Sequence, residues 1–75
     1  MKGGNNTTEQ FPERLRKLRE RRGISQRVLS ELCGLSRNMV ARYERGECMP
    51  DIETAALLAD FFGITMDNLC LNKKI

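Results

Sequence analysis

The 75-residue sequence predicts an all-α domain of five short helices. Three observations lead there. Glycines at 23, 34, 46 and 63 each follow a segment whose apolar residues recur at helical spacing. Ser25, Ser36, Asp51 and Thr65, all good helix-capping types, stand just ahead of the next such segment. No segment alternates apolar and polar residues over the length of a strand.

The first helix starts at Pro12, where a missing backbone N–H costs nothing. Phe11, Leu15 and Leu18 form its apolar stripe, and Gly23 is its left-handed C-cap. Arg21 and Arg22 suit the negative end of the helix dipole. Ser25 caps a second helix, in which Val28, Leu29 and Leu32 are expected to face the core, ending near Cys33. Ser30 lies where two closely packed helices need a small side chain, and Gly34 takes the position that wants positive φ. Leu35 packs in the turn, and Ser36 is expected to cap a third helix over residues 36–45. A gap of about three residues between two short helices is helix-turn-helix spacing.

In the third helix Val40 and Tyr43 point inward with Met39 beside them, while Arg37, Asn38, Ala41, Arg42 and Arg45 form one outward stripe. Residues 47–50 make a loop, and Asp51 caps a fourth helix that turns Ile52, Ala55, Leu58, Ala59 and Phe62 to the core. Thr65 caps a short fifth helix with Met66, Leu69 and Cys70 inward. The division is then a flexible tail over 1–10, one domain over 11–72, and a short tail over 73–75.

Net charge is +3, unevenly spread. Residues 11–45 carry ten Arg or Lys against four Glu, a net +6; residues 46–75 carry two Lys against five acids, a net −3. A polyanion partner for the first half fits this asymmetry, as does a solvated helix face. Lys2 adds one cation in the tail. Three widely spaced cysteines, with no histidine and no C-x-x-C, make neither a disulfide framework nor a metal site, and no cofactor is expected. Cys33 and Cys70 suit packed positions, and Cys48 is expected as an exposed loop thiol. No apolar run approaches the roughly 20 residues of a membrane span, and residues 1–10 lack a signal-peptide core. The expected compartment is the cytoplasm, without membrane association.

Several motifs now stand in register: Leu-Arg-x-x-Arg-x-x-x-Gly from Leu15 to Gly23, Ser25-Gln26 opening helix two, and Gly34 in the turn. Tyr43-Glu44-x-Gly46, Pro50 and Gly63-Ile64-Thr65 follow. Across residues 11–71 the chain resembles the phage-repressor and Cro-like helix-turn-helix regulators, also called the xenobiotic-response-element type. The resemblance implies a compact five-helix, lambda-repressor-like DNA-binding domain, with the helix-turn-helix in helices two and three. Helix three would lie in the major groove of an operator.

Arg37 and Arg42 have the reach for guanine, Asn38 for adenine, and Ala41 leaves room for a thymine methyl. Each is also an ordinary residue for an exposed helix face. The resemblance gives Gln26 a phosphate contact that braces helix three, while Ser36 and Arg45 approach the backbone. Met49 departs from the pattern, since a polar or basic residue would serve better there. The resemblance also implies that Arg19 and Glu44 form a buried structural ion pair. Leu57, Phe61 and Leu71 exceed what the core stripe needs; they either cover a thin core or join two copies as a homodimer.

The expected function is sequence-specific transcriptional regulation, most simply repression, and nothing in the sequence points to an enzyme. The alternatives are an antitoxin-type interaction module, with a toxin or polymerase as possible partner, and a restriction-modification controller protein.

Overall fold

The computed structural model describes residues 10–71, with side chains described as far as Leu69. The tail expected before Gln10, the segment after Leu71, and the side chains of Cys70 and Leu71 lie outside the described residues. Five helical elements follow one another: α1 (Phe11–Arg22), α2 (Gln26–Leu32), α3 (Met39–Glu44), α4 (Ile52–Phe62) and α5 (Asp67–Leu71), the last a π-type turn. There is no strand among the described residues.

Local chemistry sets most boundaries. Pro12 lies in the first turn of α1, and Gly23 closes that helix at φ 69°. Ser25 Oγ accepts the Val28 N–H at 3.0 Å to start α2. Asp51 accepts the Thr54 N–H at 2.9 Å to start α4, and Thr65 accepts the Asn68 N–H at 3.0 Å ahead of α5.

The core draws on every element: Phe11 and Leu15 from α1, Leu29 from α2, Val40 and Tyr43 from α3, Leu58, Ala59 and Phe62 from α4, and Leu69 from α5. Phe11 meets the Tyr43 ring edge-on at 5.8 Å, a favoured aromatic geometry that fixes the start of α1 against α3. Arg14 Nε donates to the Asn68 carbonyl at 2.8 Å, tying α1 to α5.

Four expectations need correction. The third helix spans 39–44 rather than 36–45. Met39 N–H bonds the Ser36 carbonyl at 3.0 Å in a tight turn, and the first four-residue bond runs from Arg42 N–H to the Asn38 carbonyl at 3.1 Å. Ser36 therefore belongs to the turn and does not cap the helix, while Arg37 and Asn38 precede it. Second, Val28 is 40% and Leu32 59% exposed. Helix α2 has only two turns, and of its residues only Leu29 and Ser30 are buried. Third, Ile52 is 77% exposed because it opens α4 directly after its cap, beyond the reach of the core. Fourth, Cys48 is half-buried against the core rather than an open thiol.

Ser30 carries more than its small size. It is fully buried, and its Oγ accepts the Val40 N–H at 3.1 Å. This N–H is one of the orphan donors of the first turn of α3, so the bond satisfies a buried group and fixes the register of α3 on α2.

Candidate nucleic-acid interface

The inner end of α3 is held by a polar knot. Arg19 on α1 donates from Nε to Glu44 Oε2 at 2.7 Å and from Nη2 to Oε1 at 3.1 Å. A third bond runs from Arg19 Nη1 to the Ile24 carbonyl at 2.9 Å. Gln26, the first residue of α2, donates from Nε2 to the same Oε1 at 2.9 Å. The two charged side chains are only 12% and 5% exposed. The hydrogen bonds it donates to Glu44, which outweigh the desolvation, hold the Arg19 guanidinium more firmly charged than an exposed arginine. Forked, nearly dry pairing of this kind is directional, so one carboxylate fixes α3 against both α1 and α2.

With its inner side fixed, α3 turns a different set of residues to solvent. Ser36, Arg37 and Asn38 are exposed in the turn before it, Arg42 is exposed on it and Arg45 at its C-terminal cap, and Ala41 is half-buried beside Arg42. Val40 and Tyr43 take the opposite side. Gln26 is half-buried, because its amide is committed to Glu44.

One member of this surface has no role in the reading of the sequence. Glu47 accepts from Arg45 Nε at 2.6 Å and faces Arg42 Nε at 3.4 Å. The hydrogen bond from Arg45 draws the Glu47 carboxyl below the usual carboxylate range, and the same bond raises Arg45. Glu47 lies outside the helix, so helical spacing gives no hint that it folds back onto the outward arginines.

Away from this face, Leu57 is 51% exposed on α4, in a groove it shares with Glu53, Ala56 and Asp60. Phe61 is half-buried, covered in part by the chain's own Arg22, whose guanidinium lies 5.0 Å from the ring centroid. Among the described residues no helix is long and apolar enough to cross a membrane, and no three His, Cys, Asp or Glu residues gather as a metal site.

A family model described as helix-turn-helix matches residues 15–69. The chain is 36% identical over 59 residues, 79% of its length, to the SPbeta prophage-derived helix-turn-helix-type transcriptional regulator YonR of Bacillus subtilis. It spans 55% of that protein and as little as 16% of other curated relatives it matches. Among solved structures, the P22 c2 repressor in complex with synthetic operator 9T superposes with a TM-score of 0.81 at 27% identity. That likeness covers 88% of this chain and all of the other. The restriction-modification controller protein C.AhdI of Aeromonas hydrophila gives 0.71 at 37% identity, over 79% of this chain and 86% of its own.

Proposed function

This chain belongs to the helix-turn-helix family, of the Cro/C1 type, and on that basis we propose that it is a sequence-specific double-stranded DNA-binding transcriptional regulator. One observation carries the reading. The helix that such proteins lay in the major groove is locked from its inner side by Glu44, while Arg37, Asn38, Arg42 and Arg45 face solvent around it.

In this reading Arg42 and Arg37 address guanine O6 and N7, Asn38 addresses adenine, and Ala41 admits a thymine methyl. Arg45, Ser36 and Gln26 approach the phosphates, Gln26 while still braced on Glu44. A homodimer would present two such helices about 34 Å apart to a palindromic operator, with Leu57 and Phe61 on the side that joins the copies. The relatives include a prophage regulator and a phage repressor bound to operator, which favours repression in the cytoplasm, where the DNA is.

Selection of bound duplexes from a random pool tests this directly. The expected product is an enriched palindromic motif whose binding weakens steeply with salt. A pool no different from the starting one, selected at low salt, would remove the function. A controller protein of a restriction system is the second reading, favoured by the likeness to C.AhdI. It uses the same interface, and modification genes beside the coding sequence would mark it.

A further inference from the structure

Four described helices end alike. At Gly23, Gly34, Gly46 and Gly63 the chain passes through positive φ, and the next residue returns its N–H to a carbonyl in the last turn. After three of these glycines the returning residue is apolar: Ile24, Leu35 and Ile64 each pack against the core, the hydrophobic contact that usually accompanies this motif. After Gly46 it is Glu47. Its N–H bonds the Arg42 carbonyl at 3.0 Å, as the motif requires, but its side chain leaves the core and meets Arg42 and Arg45. The reversal of the chain at Gly46 thus sets a carboxylate against the two arginines that the proposed interface uses.

A negative charge at a surface meant for a polyanion is adverse unless it changes how the neighbouring cations are used. From this, and resting on the DNA-binding reading above, we infer that Glu47 is a specificity-determining positioning residue. It holds Arg42 in the geometry that base-edge contact needs and withholds both Arg42 and Arg45 from phosphates of unmatched DNA. Bidentate contact with a guanine requires a fixed fork, which a carboxylate on Nε helps to set. Non-specific binding requires the opposite, arginines loose enough to follow phosphates, and it draws its affinity from counterion release alone. Because the pairs are exposed, phosphate can displace Glu47, but the arginines then give up the hydrogen bonds that Glu47 already accepts from them.

The test compares the unaltered protein with Glu47→Gln, which keeps shape and an acceptor but removes the charge. Each is titrated with the selected operator and with a scrambled duplex of equal length, at several salt concentrations. Glu47→Gln is expected to bind the scrambled duplex several-fold more tightly, with a log–log salt slope steeper by about one to two for the arginines released. Operator binding gains less, so the ratio between the two duplexes falls. Equal changes on both duplexes, or no change on either, would overturn the inference and leave DNA binding intact. An unaltered protein that binds neither duplex would instead remove the DNA-binding reading, and this inference with it. Glu47→Ala, measured alongside, is expected to lower the ratio as well. A ratio preserved in Glu47→Ala counts against the positioning role.

Discussion

Arg19 and Gln26 donate to one oxygen: Glu44 Oε1 accepts from the guanidinium at 3.1 Å and from the amide at 2.9 Å. Two helices thereby share one acceptor atom on a third, and Arg19 adds its bond to Oε2 at 2.7 Å. The shared acceptor makes the carboxylate of Glu44 the most sensitive point in the polar scaffold.

Glu44→Gln strands the mostly buried Arg19 charge, and we expect a loss of roughly 3 kcal/mol in a urea titration. The double variant Arg19→Met with Glu44→Leu should recover much of it, since apolar residues of similar volume replace such pairs well. A single-variant loss under about 1 kcal/mol would class the pair with ordinary surface bridges.

The two leucines of α2 offer a contrast. Leu29 is fully buried and Leu32 is largely exposed, three residues away on the same short helix. Leu29→Ala is expected to cost about 2–5 kcal/mol and Leu32→Ala within about 0.5 kcal/mol. Similar losses from both, measured by chemical denaturation, would contradict the packing of α2.

This contrast also marks what the sequence could say. The positions where helices stop were legible, because only glycine enters positive φ cheaply and each such glycine ends an apolar stripe. Caps with one donor in reach, Ser25 and Asp51, were legible for the same local reason. Leu32 and Val28 were misplaced because in two turns an apolar pattern fits several faces, and the neighbouring helix decides which is covered; Ile52 was misplaced because it is the first residue of α4. Ser36 resembled a cap because a turn of Ser, Arg and Asn has the same composition as a helix start. At the candidate site, Arg37, Asn38, Arg42 and Arg45 were expected at the surface from helical spacing and are exposed, although Arg37 and Asn38 precede the helix. Glu47 was not expected there, since its position depends on a chain reversal rather than a period. The hydrogen bond of Ser30 was equally hidden, because its partner is a backbone group ten residues on.

Arg42→Ala and Gln26→Ala should separate base reading from backbone contact. The first is expected to weaken operator binding and relax preference at one base position, with the thermal midpoint nearly unchanged, because Arg42 is exposed. The second should weaken operator and scrambled duplexes alike. Comparing selected motifs for the two variants checks both: an unaltered operator affinity would take Arg42 out of the site, and an altered base preference would take Gln26 off the phosphates.

Acid sensitivity has an assignable contributor. The backbone hydrogen bond from Thr54 holds the Asp51 carboxyl below the usual carboxylate range. Its folded pKa lies under its unfolded value, so its contribution is full above about pH 4 and disappears as pH falls through the folded value. Asp51→Asn keeps an acceptor at the cap but cannot titrate. The difference in thermal midpoint between the two proteins should therefore shrink below about pH 4. A difference that stays constant down to about pH 2 would show that the charge plays no part.

Gly46 also has a practical bearing. A methyl group placed there would meet only the ring of Pro12, at 3.8 Å. The first turn of α1 thus lies against the end of α3, and the chain enters the fold beside Arg45 and Glu47. An affinity tag or fluorescent protein joined ahead of Phe11 would emerge beside the proposed interface. Binding assays are better made after such an attachment has been cleaved away.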